Sequence, residues 1–300
     1  MLRTMNRRTF LGLTGAGLAA AQAPPASAAE KPVNILVVVS DTLRTAYLGP
    51  YGNRRVQTPN LDRFAGESAL FERAHPEALP TIPTRRTLHS GRRVFPFRAY
   101  KPIPWDNVTL PGWQPMSPDE DTVAEALHRA GYHTGFVSDV PHYFVPGQNF
   151  TRGFLQWDFV RGNAEDRYRS VAPFTNEQTR SRYESARGPA HVANLGGYAP
   201  DEMDFATPRT FRSAIRFLEE NRGNPKPFHL YVATFHPHES WEAPAKYYNL
   251  YRDPNYRGKT YLTLPYNTLE KAPVPAEALE DVKAHYSGLV TMVDHWFGQL

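Results

Sequence analysis

The chain has 300 residues, of which 41% are hydrophobic and 21% charged, the usage of a globular protein and not of a disordered one. Its 28 prolines argue for long, stiffened loops and against an all-helical bundle, and its lack of cysteine excludes disulfides, thiolate metal sites and a thiol nucleophile. Of the 34 basic residues, Arg3, Arg7 and Arg8 lie in the first 29 positions; the other 31 face 30 acidic residues, a net of +1 with no basic footprint for nucleic acid.

Residues 1–29 have the layout of an export signal. The basic start MLRTMNRRTF precedes the small, apolar run LGLTGAGLAAAQA, and Ala26-Ser27-Ala28 supplies an A-x-A cleavage site. The apolar run is about a dozen residues, short of the ~20 that span a bilayer. Arg7-Arg8 ahead of Thr9-Phe10-Leu11 resembles the twin-arginine signal, which hands folded proteins to its own export machinery. The expected location is therefore periplasmic or secreted. Residues 30–300 are expected to form the mature α/β domain.

That domain opens on Val33–Ser40, a continuous β-branched run that predicts a strand buried on both faces. Thr58 and Pro59 start a helix as N-cap and first-turn residue, and Ala69–Ala74 is expected as a short strand. Asp121–Ala130 is an amphipathic helix stopped by Gly131. His133–Ser138 is the next strand. Pro208–Glu220 is a helix with Thr207 placed to cap it, Phe228–Phe235 a buried strand, and Pro275 onward a long helix. Strands alternating with helices predict a doubly wound, mostly parallel α/β sheet. Arg93–Pro118 and Asn163–Tyr198 carry no period and are expected as long loops over the carboxyl edge, where such folds bind ligands. The helix after Pro275 runs to Leu300 with no strand behind it, so the architecture reads as cut short.

Four places along this pattern carry chemistry. Asp41 directly follows the first strand, where a carboxylate is either a metal ligand or a turn former capping Thr42–Arg44. In Thr81-Ile82-Pro83-Thr84-Arg85, Pro83 suits a first helical turn, which puts the Thr81 hydroxyl at the positive end of a helix dipole. Arg85, one turn on, offers a planar fork to a tetrahedral oxyanion; otherwise Thr81 is a cap and Arg85 a surface charge. His236 and His238, two apart at the end of a strand, are expected to face one site and serve a metal or an anion. His142 closes the second strand in the same way, and the neighbouring Asp139 is read as a turn former.

In chain order, Asn34–Arg44, Thr58–Arg63, Thr81-x-Pro83-x-Arg85 with Ser90-Gly91-Arg92, and Phe235–Glu239 together resemble the sulfatases of the alkaline phosphatase superfamily, in their amino-terminal portion. Thr81 stands where that family's Cys/Ser-x-Pro-x-Arg motif has its nucleophile. The resemblance implies Asp41 as a divalent-metal ligand and Thr81 as the nucleophile, its oxygen also on the metal. It implies Arg85 as the group that steadies the nucleophile and the developing charge, and His238 as a contact to the substrate oxyanion or leaving group. His142 is similar to a histidine that follows a lysine in many relatives. The metal implied is Ca²⁺ foremost, with Mn²⁺ or Zn²⁺ as alternatives, and the substrate is a small-molecule or glycan sulfate or phosphate ester displaced in line.

The chain departs from that pattern in four respects. Threonine at position 81 cannot become the formylglycine aldehyde that the family makes from Cys or Ser, so none is expected, and the chemistry tilts toward phosphodiesters. Asp41 is flanked by Ser40 and Thr42 where relatives often have paired acids. The family's active-site lysine is missing, Val137-Ser138-Asp139 standing in its place. The Asp-His/Asn-Gly segment that completes the metal site in relatives has no counterpart here, since Asp294-His295 lies inside a helix. The alternative reading is accordingly a non-catalytic or truncated sulfatase-like protein.

Overall fold

A computed structural model describes residues 32–97, 110–163, 166, 183–186, 201–266, 270–271 and 274–300. The export-signal residues, most of Arg93–Pro118 beyond position 97 and most of Asn163–Tyr198 lie outside the described residues. Four strands make the main sheet: β1 (Ile35–Ser40), β2 (His133–Ser138), β3 (Gln156–Phe159) and β5 (Phe228–Thr234). Their order is β1-β5-β2-β3 and every pairing is parallel. A second, two-stranded parallel sheet joins β4 (Tyr183–Ser185) to β6 (Thr260–Thr263). The helices are α1 (Pro59–Gly66), α2 (Thr81–Ser90), α3 (Val123–Arg129), α4 (Ala206–Glu220), the short α5 (Ala245–Tyr248) and α6 (Ala276–Gln299). The α/β class and the mostly parallel sheet are as the sequence predicts. None of the described helices is long and apolar enough to cross a membrane.

Strand alternation builds two cores. On β5, Tyr231 and Ala233 point to one face, where with Phe235 just past the strand they meet Ile82 of α2, Ala124 of α3 and the buried rings of Phe136, Tyr143 and Phe150. Leu230 and Val232 point to the other, against Ala206, Ala214 and Phe217 of α4 and Leu300 at the end of α6. Gly135 lets the second packing close, because a Cβ there would stand 2.4 Å from the Phe217 ring.

The local signals worked best where a cap and a period agree. Thr122 accepts from the Glu125 N–H at 3.0 Å while Glu125 accepts from the Thr122 N–H at 2.8 Å, a complete capping box opening α3. Gly131, after the C-cap, takes φ 92°, the left-handed turn that ends the helix.

Several expectations are corrected. β1 is not buried on both faces: it pairs only with β5 in the described sheet, and Leu36 is 41% exposed. Ala69–Ala74 forms no strand; the stretch is irregular and largely exposed, with no partner in either described sheet. Thr58 sits at the N-cap of α1 but does not cap it. Its hydroxyl accepts from the Gly49 N–H and donates to Asp62 instead. The free N–H groups of α1 go to Asp294 of α6, which accepts from the Leu61 N–H at 2.7 Å and from Asn60 at 3.2 and 2.9 Å. Thr207 is not the cap of α4 either. It lies inside the first turn, fully buried, with Phe205 at the N-cap.

Candidate active site at the carboxyl edge of the sheet

The parallel register brings the ends of β1, β2 and β5 to one edge: Ser40 pairs with Thr234 and Ser138 with Ala233. Asp41 is the next residue after β1. Its N–H donates to the Thr234 carbonyl at 3.0 Å, which extends the ladder by one step and leaves its side chain at the edge, 7% exposed. Thr42, which follows, takes φ 51°, a left-handed conformation that a β-branched side chain tolerates badly. The turn is pinned from α6: the Tyr286 hydroxyl donates to the Thr42 carbonyl at 2.7 Å and accepts from the Arg44 N–H at 3.1 Å.

Arg85 is buried, not a surface charge. Its Nη2 donates to Asp41 Oδ2 at 2.9 Å, an ion pair with both side chains under 10% exposed. Tyr143 and Tyr231 lie near enough to Arg85 to act on its charge, and their hydroxyls lie 3.3 Å apart. Burial pushes both phenols up, so they stay neutral beside the pair. Removing one partner of such a pair leaves an uncompensated buried charge. Arg85→Met alone is expected to lower the unfolding free energy by about 3–5 kcal/mol, and Arg85→Met with Asp41→Leu by clearly less. Urea unfolding of the two variants checks this.

Thr81 is the first residue of α2 and half-buried, one helical turn before Arg85 and thus on the same face. Pro80 is the N-cap and makes no side-chain cap, while Pro83 brings no N–H to the first turn. The backbone donors left at the start of α2 are those of Thr81 and Ile82, at the positive end of the dipole. Lower in the helix, Arg86 anchors to the carbonyls of Gln114 and Pro115 at 2.8 and 2.7 Å.

The histidines do not share one direction. β5 stops at Thr234, and the His238 N–H donates to the Phe235 carbonyl at 2.9 Å, closing a turn. Strand alternation therefore ends before the pair is reached. The His236 ring turns inward, its Nδ1 2.8 Å from the Thr207 hydroxyl, and burial lowers its pKa to about 3. His238 stays at the edge, 16% exposed, stacked on Phe235 at 4.0 Å with Nδ1 at 2.8 Å from its neighbour's carbonyl, Glu239 O. His142, in the 3-10 turn Pro141–Phe144, contacts the Trp113 ring at 5.1 Å and the same Phe235 edge-on at 5.8 Å. Phe235 thus joins His142 to His238. Asp139 is buried and accepts from the Phe235 N–H at 2.7 Å and the Thr234 hydroxyl at 3.1 Å; burial raises its carboxyl to about 6. It braces the ends of β2 and β5.

The acid, the arginine and the hydroxyl-bearing helix start all stand at the carboxyl edge of a doubly wound parallel sheet, the edge at which α/β folds of this class bind their ligands. Residues 33–300 match the Sulfatase family, and the chain belongs to it. It is 26% identical over 240 residues to mouse (Mus musculus) iduronate 2-sulfatase, covering 78% of this chain and 40% of that protein. It is 24% identical over 301 residues to an arylsulfatase of Clostridium perfringens, covering 89% and 58%. The phosphonate monoester hydrolase of Silicibacter pomeroyi superposes with a TM-score of 0.61 at 19% identity, over 89% of this chain and 58% of that one, which shows the shared fold. The chain spans roughly half the length of these relatives.

The sulfatase family generally uses a divalent metal. A hard cation such as Ca²⁺ takes six to eight oxygen ligands. Among the described residues no three His, Cys, Asp or Glu side chains gather for one, and Asp41 is already paired with Arg85. The described residues do not by themselves fit such an ion.

Proposed function

We propose that this chain carries the nucleophile half of an exported hydrolase of sulfate esters, on a small molecule or a glycan, with Thr81 as nucleophile. The observation that carries the reading is the buried Asp41–Arg85 pair, which ties the end of β1 to α2 one turn from Thr81. The Thr81 oxygen bonds to sulfur in line as its hydroxyl proton passes to solvent, the bond from sulfur to the ester oxygen breaks and the alcohol leaves with a proton, and water then displaces sulfate from Thr81 to restore the hydroxyl. The N–H groups of Thr81 and Ile82 and the dipole of α2 favour the anion that approaches, and Arg85 balances the charge spreading over its oxygens. Asp41 fixes Arg85 in that position. His238, at the rim on Phe235, meets the oxyanion or the leaving oxygen, and His142 flanks it.

The full-length protein, assayed on an aryl sulfate and an aryl phosphodiester with Ca²⁺, Mn²⁺ and Zn²⁺ in turn, is expected to favour the sulfate, because the relatives' names are those of sulfatases. Preference for the phosphodiester would move the assignment to phosphate esters, the direction in which threonine at position 81 points. Turnover of neither ester would favour a non-catalytic protein. Export is proposed to follow from Arg7-Arg8. Replacing both by lysine is expected to leave the protein in the cytoplasmic fraction, and undiminished periplasmic protein would refute a twin-arginine route.

A further inference from the structure

Four buried polar groups run in a line beneath the candidate site: Asp139 after β2, Thr234 at the end of β5, Thr207 in the first turn of α4, and His236. The Thr234 hydroxyl lies 3.1 Å from Asp139 Oδ2, the Thr207 hydroxyl 2.6 Å from that of Thr234, and His236 Nδ1 2.8 Å from Thr207. Each hydroxyl owns a single proton. An ionised carboxylate only accepts, so Thr234 spends its proton on Asp139. Thr207 must then donate to Thr234, and among the four groups the imidazole is the one left to donate to Thr207. The direction of every bond follows from the charge at one end.

We propose that Asp139 is a positioning residue that, through Thr234 and Thr207, holds His236 as the tautomer with its proton on Nδ1 and its lone pair on Nε2. The two hydroxyls are fully buried and Asp139 is as well, so no solvent competes for their protons. The low pKa of His236 keeps its ring neutral, which makes the choice of tautomer the remaining variable. The main chain that carries the ring is also held, since the Ser40 hydroxyl donates to the His236 carbonyl at 2.7 Å. A neutral imidazole with Nε2 unprotonated accepts a hydrogen bond; it does not donate one to an anion. His236 therefore has a different task from His238, two residues on. That last step rests on the reading of this edge as the site of ester hydrolysis, whereas the tautomer itself does not.

The test is the long-range ¹H–¹⁵N spectrum of the full-length, histidine-labelled protein without ligand at pH 8, with the His236 signal identified by His236→Gln. The wild type is expected to show an unprotonated Nε2. In Asp139→Asn the side-chain carbonyl keeps the Phe235 N–H, so the amide NH₂ faces Thr234 and donates to it. The chain reverses, Thr207 donates to Nδ1, and the proton moves to Nε2. Thr234→Val is expected to give the same reversal by a different route, because Thr207 no longer has an acceptor there and turns to the ring; it serves if the Asp139 variant does not fold. Thr207→Ser keeps the hydroxyl and should keep the wild-type tautomer. A protonated Nε2 in the wild type, or an unchanged tautomer in the Asp139 and Thr234 variants, overturns the proposal. A wild-type protein with the expected tautomer and no ester hydrolysis would count against the proposed function alone.

Discussion

Thr81→Ala is expected to lower sulfate ester hydrolysis by about 10⁴-fold or more, because removing a nucleophile leaves only the binding and charge-stabilising groups behind. The fold should survive. Thr81 is half-buried at the start of α2, makes no cap, and alanine is a good helix residue there, so the change in unfolding free energy should stay within about 1 kcal/mol. Thr81→Ser restores a hydroxyl at the same place and is expected to recover most of the rate. Arg85→Lys keeps the charge but not the planar fork, and should lower kcat more than it raises KM if the arginine acts on the developing charge. These outcomes separate a nucleophile from a helix-start residue. Ester hydrolysis that persists at the wild-type rate in Thr81→Ala would remove Thr81, and with it the reading of α2 as the reacting element.

Much of this site was legible before any coordinates because the features are local. β2 could be bounded to its residues by pattern alone, and Pro83 marked the start of α2 because proline has no N–H to lose in a first turn. The position of Asp41 followed from the end of β1. What the sequence could not supply are choices between partners far apart in the chain. From its own neighbourhood Arg85 reads as a surface charge or a site residue until Asp41, 44 positions away, is seen to hold it. Thr58 and Thr207 both carry the local signature of a cap. Yet Asp294 serves the N–H groups of α1 from 234 and 233 residues away, and Thr207 is drawn inward by Thr234 and His236. The two histidines were placed together by strand periodicity, which fails once β5 gives way to a turn. β1 misled through composition: a run of Ile, Leu and Val states an affinity for burial, not the neighbours that provide it.

The second large effect concerns acid. His89 is fully surrounded by the rings of Phe136, Tyr143, Phe150, Phe154 and Tyr231, and burial, with Arg85 and His229 adding to it, lowers its pKa to about 3; His236 falls to about 3 through burial and the nearby His238. An unfolded histidine titrates near 6.5. Between pH 6.5 and 3 the unfolded chain therefore binds two protons that the folded chain refuses, so stability is intact above pH 6.5 and declines as the pH falls. At pH 4.5 each histidine has removed roughly 2.7 kcal/mol, out of the 5–15 kcal/mol that a domain usually has. Asp139, raised to about 6, acts in the opposite sense: it takes up its proton in the folded state first, so acid relieves its burial, and Asp281 and Asp294 are raised in the same direction. Asp139 returns roughly 2 kcal/mol by pH 4.5, less than the two histidines withdraw. Unfolding is thus expected to become markedly easier between pH 6 and pH 4.5 by this difference. His89→Leu should reduce proton uptake on unfolding at pH 5 by about one proton and shift the acid midpoint downward, with little change in the pH 7 to 8 range beyond a constant offset. Urea unfolding followed at each pH measures both quantities. An acid midpoint that does not move in His89→Leu would show that this imidazole is not held neutral, and the aromatic core around it would have to be open to water.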